Sequence, residues 1–380
     1  MRISEIVVYQ LDLPLAAPYR LSGGRLLFER LDATIVRINT DEGVHGWGEV
    51  CPWGSSYLPM HGRGARAAME ELAPALLGLD PRRVDVLDRV MATTLPGHHY
   101  ARAAIDAACW DILGRASGQP VVELLGGRAV ERVLVASSVP TDAPDVMLAG
   151  VRSYRSRGYR VHSVKIGSGV AEDVARIEAL AAEQQPGEII FYDVNRAWLP
   201  HVAITVMNAV RDLPVWFEQP CETLEECATV RATTSHAISL DETIVTPQDL
   251  LRARDLKAGE IVNIKIGRVG GLTRARRLRD LALECGMGIL VEDTGGTILA
   301  DTAAAHLAST VPEHALIGTW SCQELITVDP APGQGARVVD GTMRAPDLPG
   351  LGIEIDADAL GAPVARYVAR TGSGREQVGT

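Results

Sequence analysis

Five charged residues recur at near-regular intervals in the middle of this chain, each at the end of an apolar run. They are Lys165, Asp193, Glu218, Asp241 and Lys265, and successive members are 23 to 28 residues apart. That interval is the length of one strand–loop–helix unit, and a fixed period of this kind indicates a repeat architecture. It predicts successive strands of a (β/α)8 barrel, in which the chemistry lies at the C-terminal ends of the strands.

Eight strand-like runs support the barrel, with segments of helical apolar spacing between them. We predict these strands with bounds that are accurate to within a few residues. The predicted strands are 133–139, 160–166, 188–194, 214–218, 237–241, 260–265, 288–292 and 315–320.

The residues before the barrel alternate like strands and are followed by helical segments, which predicts an α+β capping domain over residues 1–127. Within this domain, residues 19–29 contain Gly23-Gly24 and are predicted to form a mobile loop. We expect the catalytic barrel to span 128–325. The Gly/Pro-rich segment 326–368 is predicted to return to the cap and complete it, and 369–380 to be a disordered tail.

Composition excludes several classes of function. The net charge of −11 argues against nucleic-acid binding, which needs clustered basic residues. We find neither a signal peptide nor an apolar run of about 18 residues, so we expect no membrane partner. The six cysteines lack paired metal spacing and indicate reduced thiols. We expect a cytoplasmic homo-oligomer that acts on a small molecule.

Asp193, Glu218 and Asp241 end three consecutive predicted strands. Adjacent strands lie about 5 Å apart, so three carboxylates in register can converge on one ion. Ligation by oxygen atoms alone favours Mg²⁺, which keeps some of its coordination positions for water or substrate. We predict one Mg²⁺ per subunit at this site; the alternative is that each acid pairs with a nearby Lys or Arg.

Lys165 and Lys265 lie on either side of the three acids and are predicted catalytic bases that face opposite sides of a bound substrate. A free lysine has a pKa of about 10.4, so that pKa must be lowered for the side chain to act near neutral pH. A divalent cation and a second ammonium group would lower it. The alternative is that both are surface lysines.

This pattern resembles the enolase superfamily, in its muconate-lactonizing-enzyme subgroup, over nearly the whole chain. The resemblance implies an α/β fold: a modified (β/α)8 TIM-type barrel with an α+β cap completed by the C-terminal segment. In that family the later lysine of a Lys-x-Lys pair on the second strand is a base, and Lys165 matches it. The family's three metal ligands match Asp193, Glu218 and Asp241, and its sixth-strand lysine matches Lys265.

Two departures from the family pattern disfavour some of the activities found in the family. Ser163 stands where the earlier lysine of the pair would be, which disfavours cycloisomerases and dipeptide epimerases that carry both lysines. Either His162, the metal or Lys265 then lowers the pKa of Lys165, or that pKa stays higher. The seventh strand ends at 291–294 without a histidine, which disfavours the acid-sugar dehydratases of the mandelate-racemase-like subgroup.

The barrel mouth also carries candidate substrate-binding residues. Glu292 and Asp293 place negative charge there, which suits a substrate ammonium group. Trp320 could stack a cation on its ring or could simply plug the barrel end. The predicted substrate-binding set is Trp53, Tyr57, Asn195, Asp293, Thr294 and Trp320.

Within the superfamily the chain resembles the cis-3-hydroxy-L-proline dehydratases. The supporting segments are 21–26, 51–54, 95–98, 193–198 and 292–296. The resemblance implies Mg²⁺-dependent β-elimination of cis-3-hydroxy-L-proline to Δ1-pyrroline-2-carboxylate through a metal-stabilised enediolate, with competing 2-epimerisation. The alternatives are a 4-hydroxyproline betaine 2-epimerase or another cyclic amino-acid racemase and, in a different class, a non-catalytic binding barrel.

Overall fold

The barrel forms as predicted in the computed structural model, which describes residues 1–369. Eight parallel strands, β4 to β11, pair in chain order, and β11 pairs with β4 to close the ring. The strands are β4 (Val133–Val139), β5 (Val161–Lys165), β6 (Ile189–Asp193), β7 (Trp216–Glu218), β8 (Ile238–Leu240), β9 (Ile261–Lys265), β10 (Gly288–Glu292) and β11 (Leu316–Trp320).

Each observed strand lies within one of the predicted runs, and the differences are at the ends. The predicted fourth strand begins at Pro214, whereas β7 begins at Trp216. Proline has no N–H to donate to a strand ladder, so the pairing starts after it. The helices that follow the strands are α5 (Pro144–Ser156), α6 (Val170–Ala182), α7 (Pro200–Ala209), α8 (Leu224–Arg231), α9 (Pro247–Leu256), α10 (Ile266–Val269), α11 (Leu272–Glu284) and α12 (Ile298–Ala308).

The N-terminal residues form an antiparallel sheet with helices packed on it, as expected for an α+β cap. Its strand order is β13-β1-β2-β3. The elements are β1 (Ile3–Leu21), β2 (Leu26–Thr40), β3 (His45–Val50), α1 (Gly62–Leu76), α2 (Val84–Thr94), α3 (His99–Ser117), α4 (Val121–Leu124) and β13 (Ala365–Val368).

The prediction of a mobile loop at residues 19–29 is wrong. Strands β1 and β2 continue through this stretch, and only a 3₁₀ turn at Ser22–Gly24 joins them. The turn docks on the barrel, because the Gly23 amide donates to the Ile166 carbonyl at 3.1 Å and Ser22 Oγ donates to the Asn195 carbonyl at 3.0 Å. These partners are distant in sequence, so local composition gave no sign of them.

The C-terminal segment returns to the cap. Strand β12 (Thr342–Met343) pairs with β4 outside the ring, and β13 pairs with β1. The domain boundaries given above stay predictions. The predicted tail at 369–380 lies outside the described residues except for Ala369, whose amide donates to the Ser4 carbonyl at 2.8 Å. Among the helices of residues 1–369, none is long and apolar enough to cross a membrane.

Candidate active site

The carboxyl ends of the barrel strands meet at one rim, and the residues predicted from the repeat all lie there. In the strand register, Lys165 is opposite Asp193, Asp193 is opposite Glu218, and Lys265 is opposite Glu292. Asp241 follows the last residue of β8 directly. The repeat therefore places these side chains at the same level of the barrel.

One cavity opens at this rim, between the barrel and the cap. Both lysines line it, as do all six predicted substrate-binding residues. Asp241 is buried, contacts Lys265 and is not part of the lining. The lining residues are Lys165, Lys265, Asp193, Glu218, Glu292, Trp53, Tyr57, Asn195, Asp293, Thr294, Trp320, Tyr19, Leu21, Ala136, Ser163 and Phe191.

The two lysines reach this cavity from opposite sides. Lys165 ends β5 and Lys265 ends β9, and these strands lie four positions apart in a ring of eight. A small substrate between them would present one face to each ammonium group. Both lysines are largely buried, so the alternative that they are surface lysines does not hold.

The contacts of the two lysines within the protein raise their pKa values, and the lowering expected from a bound divalent cation stays a prediction. Burial lowers the pKa of Lys165, but the contacting carboxylate of Asp193 outweighs it and the pKa is raised. The pKa of Lys265 is also raised: burial opposes this, but Asp241 at 2.7 Å and Glu292 at 3.2 Å outweigh it. The charges nearest to each lysine are carboxylates, which raise its pKa, whereas the other lysine lies across the barrel.

Three buried carboxylates form the tightest acidic group at the rim. Glu218, Asp241 and Glu292 each offer an oxygen, and these oxygens lie within 4.8 Å of one another. The predicted trio contained Asp193 instead of Glu292. Asp193 is held by Lys165 and by the Asn195 side-chain amide, which donates to its Oδ2 at 3.0 Å.

The donor set fits a hard divalent cation. Burial raises the pKa of Glu218 well above its usual value, and the charges of Asp193 and Asp241 raise it further. Burial also raises the pKa of Glu292. A cation among these oxygens would offset that repulsion and desolvation, and oxygen-only ligation suits Mg²⁺.

Sequence reasoning missed Asn263 and Arg268, which organise these acids. The Asn263 side-chain amide donates to Glu218 at 2.8 Å and to Glu292 at 2.9 Å. The sequence did contain a signal for Asn263: it lies two residues before Lys265, and side chains two residues apart share one face of a strand.

Arg268 holds the other side of the acidic group. Its Nη1 contacts Asp241 Oδ1, while Nε donates to the Ile244 carbonyl at 3.0 Å and Nη2 to the Asn263 carbonyl at 2.6 Å. Burial raises the pKa of Asp241, but Arg268 and Lys265 outweigh it and the pKa is lowered. The arginine thus keeps this carboxylate ionised and fixed in place.

The cap supplies aromatic side chains to the cavity. The Tyr57 hydroxyl donates to Glu242 Oε1 at 2.8 Å and so joins the cap to the barrel rim. Trp53 meets Trp320 edge-on, with ring centroids 5.9 Å apart, and Trp320 Nε1 donates to Ser138 Oγ at 2.5 Å. Trp320 is therefore a wall of the cavity rather than a buried plug.

Two expectations for polar residues change. His162 points away from the cavity, toward Ser137 Oγ at 2.8 Å and Glu188 at 3.8 Å, so it is not placed to tune Lys165. Glu292 lines the cavity but belongs to the acidic group, so Asp293 is the acid of this segment that lies in the lining outside that group. Asp293 Oδ1 accepts from the Gly267 and Thr294 amides, and burial raises its pKa to about 7.

Known proteins with similar sequences and structures support this fold and the position of the active site. A cis-3-hydroxy-L-proline dehydratase from Roseibium aggregatum is 42% identical over 97% of this chain and 100% of that protein. An N-succinyl-L-Arg/Lys racemase from Bacillus cereus is 30% identical over 95% of this chain and 97% of its own length. The crystal structure of an enolase-superfamily member from Roseovarius nubinhibens, complexed with magnesium, is 51% identical and covers 97% of this chain and 100% of its own, with a TM-score of 0.93.

The family models cover both parts of the chain. Residues 3–126 match the mandelate racemase/muconate lactonizing enzyme N-terminal domain, and residues 146–359 match the enolase C-terminal domain-like family. The predictions of an enzyme and of this fold class are confirmed. The chain belongs to the mandelate racemase/muconate lactonizing enzyme family of the enolase superfamily.

Proposed function

We propose that this enzyme is a Mg²⁺-dependent hydro-lyase that converts cis-3-hydroxy-L-proline to Δ1-pyrroline-2-carboxylate. The observation that carries the proposal is the pair of lysines on opposite sides of a cavity whose rim holds buried carboxylates. The dehydratase relative, at 42% identity over nearly the whole chain, supports this substrate. A homo-oligomer and a cytoplasmic location stay predictions.

Asp193, Glu218 and Asp241 are the proposed ligands of one Mg²⁺ per subunit. Asn263 and Arg268 orient two of them, and the magnesium complex of the Roseovarius nubinhibens relative supports the choice of ion. When bound, Mg²⁺ supplies the positive charge that stabilises the enediolate form of the substrate carboxylate. Glu292, hydrogen-bonded to the same Asn263, is a further candidate for the ligand set.

The lysines perform the proton transfers. Lys165 removes the α-proton of the L centre, and the electron pair of that C–H bond forms the C2=C3 double bond. The C3–O bond breaks, and Lys265 gives a proton to the departing hydroxide, which leaves as water. In the cis isomer the 3-hydroxyl lies opposite the α-hydrogen, so base and acid act on opposite faces. The enamine product then tautomerises to Δ1-pyrroline-2-carboxylate.

The remaining cavity residues fit a small zwitterion. Asp293 offers negative charge to the substrate ammonium, and the rings of Trp53, Tyr57 and Trp320 enclose an apolar ring while excluding water. Asn195 and Thr294 add polar groups at the same surface. Their unpartnered buried oxygens, Asn195 Oδ1 and Thr294 Oγ1, are free to bond substrate.

A 2-epimerase acting on 4-hydroxyproline betaine or another cyclic amino acid is the second candidate. The racemase from Bacillus cereus favours it, and so does the position of Lys265, which could return a proton to the opposite face of the α-carbon. A non-catalytic binding barrel is disfavoured, because both lysines and the acids are present at one rim.

The stereochemistry gives a direct test of the dehydratase. In heavy water with Mg²⁺, proton NMR should show loss of cis-3-hydroxy-L-proline and formation of the pyrroline product. Trans-3-hydroxy-L-proline is the matched control: its hydroxyl lies on the face of the α-hydrogen, away from Lys265, so it should undergo α-exchange at most. Equal dehydration of both isomers would contradict the assigned roles of the lysines.

A further inference from the structure

Glu49 of strand β3 is a buried carboxylate of the cap that reaches into the barrel, and it is only 4% exposed. Its Oε1 accepts from the Thr297 amide at 2.9 Å, and its Oε2 accepts from the Thr297 hydroxyl at 2.7 Å and from the Ala300 amide at 3.3 Å. These donors lie at the start of α12. The first amides of a helix lack partners within the helix and favour negative charge, so Glu49 caps this helix from another domain.

The segment 293–296 connects this contact to the cavity. Asp293 and Thr294 line the cavity, and Thr297 follows Thr294 by three residues. Gly296 has a φ of +135°, and a Cβ there would lie 3.0 Å from Glu49 Oε1 and 2.7 Å from a side-chain atom of the helix. Only glycine lets the segment pass this closely beneath Glu49.

The two ends of segment 293–296 are held by different parts of the chain. At its start, Asp293 Oδ1 accepts from the Gly267 amide of the barrel at 3.0 Å. Directly after its end, Glu49 of the cap holds Thr297. Glu49 is not part of the cavity lining, so any effect on substrate passes through this segment.

We propose that Glu49 is a positioning residue for substrate binding, which fixes segment 293–296 from the cap and so sets where Asp293 and Thr294 meet the substrate. This inference rests on the proposed function, because it takes the ammonium group of a cyclic amino acid as the group that Asp293 receives.

The chain contains a matched control for this contact. Asp106 of α3, also buried, accepts from the Thr273 amide at 2.9 Å and from the Thr273 hydroxyl at 2.6 Å, at the start of α11. It is the same kind of inter-domain cap. Thr273, however, lies eight residues after Lys265, the nearest cavity-lining residue in sequence, whereas Thr297 lies three after Thr294.

The test measures kcat, KM and thermal melting with cis-3-hydroxy-L-proline at saturating Mg²⁺. Glu49→Gln keeps the size of the side chain but replaces one carboxylate oxygen, which accepts hydrogen bonds, with an NH2 group, which donates them. That NH2 group would face N–H groups of Thr297 or Ala300, which are donors as well. The KM of this variant should rise about tenfold with kcat within about threefold, because binding common to the ground and transition states is lost. Asp106→Asn should lower the melting temperature and leave KM unchanged. Glu49→Gln combined with Thr294→Ala should raise KM by less than the product of the single effects, since both act through one segment.

The possible failures are distinguishable. No turnover by the wild-type enzyme would overturn the proposed function and this inference with it. Wild-type turnover with an unchanged KM in Glu49→Gln, or with the same KM rise in Asp106→Asn, would overturn the inference alone. If Glu49→Gln does not fold, Thr297→Val carries the same test, because it removes the hydroxyl that donates to Glu49; that hydroxyl also accepts from the Leu299 amide at 3.2 Å, so Thr297→Ser, which keeps both bonds, is its control.

Discussion

Lys165 and Lys265 end strands that lie four positions apart in the eight-stranded ring, so their ammonium groups enter one cavity from opposite sides. A planar or puckered ring held between them has one face toward each lysine. This arrangement allows a base on one face and an acid on the other, which an anti elimination requires. It also divides the reaction into two steps that can be measured separately.

The first prediction separates the two lysines. Lys165→Ala should lower α-hydrogen exchange of the L substrate in heavy water by about 10²- to 10⁴-fold, because the general base is lost. Lys265→Ala should retain exchange while losing elimination by a similar factor. The chain has a third lysine, Lys257, which is exposed and outside the cavity lining, and Lys257→Ala is the control. Normal dehydration by Lys265→Ala would show that another group is the acid.

The second prediction concerns the proposed metal ligands. Glu218→Gln should lower turnover by more than about 100-fold, since even residues that only support metal ligands contribute 10- to 100-fold. Its fold should persist, because burial already favours the neutral form of Glu218. Calorimetric titration with Mg²⁺ should show weakened binding. Glu225→Gln removes an exposed carboxylate of a surface ion pair and is the control. Full activity of chelator-treated enzyme would argue against the site.

The third prediction is for stability. Arg268→Met leaves the buried Asp241 without its arginine partner and should cost about 3–5 kcal/mol of unfolding free energy. Arg252→Met, which breaks an exposed pair with Glu225, should cost less than about 1 kcal/mol. Denaturant unfolding of both variants beside the wild type provides the comparison. Equal losses would mean that Arg268 does not stabilise Asp241 as argued.

The fourth prediction is a dependence of stability on pH. His306 is buried in α12, where its Nδ1 accepts from the Val122 amide at 3.1 Å and its Nε2 donates to the Leu351 carbonyl at 3.0 Å. Burial lowers its pKa to about 4, whereas an unfolded histidine has a pKa near 6.5. Between these values the unfolded chain binds more protons, so stability falls as pH drops from about 6.5 toward 4.

A variant isolates this contribution. His306→Gln removes the titrating group, so its melting temperature should fall less than that of the wild type between pH 7.5 and pH 5. The exposed His201 offers a control, since His201→Gln should leave the pH dependence unchanged. An identical pH dependence in His306→Gln and wild type would contradict the assignment.

The sequence predicted the barrel well because its signals are local. Each strand is an apolar run, and each functional residue ends one, so period and position together place Lys165, Asp193, Glu218 and Lys265 at one rim. The period of two along β9 would also have given Asn263.

Other features depend on contacts between distant residues and could not be predicted. The turn at Ser22–Gly24 looks flexible in sequence, yet its donors meet carbonyls of the barrel. The pKa values of the lysines depend on which carboxylates lie nearest, and that follows from packing. Glu49 gave no sign of its role, because its partner Thr297 lies in the other domain.

The most direct measurement of the central claim is product formation by the purified enzyme with Mg²⁺. A hydroxyl at C3 is β to the carbon that loses its proton and can be expelled, whereas a hydroxyl at C4 cannot. We predict that cis-3-hydroxy-L-proline is consumed to completion, with Δ1-pyrroline-2-carboxylate as the product seen by NMR, and that 4-hydroxyproline and its betaine exchange their α-hydrogen at most. Rapid 2-epimerisation of 4-hydroxyproline betaine, with cis-3-hydroxy-L-proline left unchanged, would contradict the account.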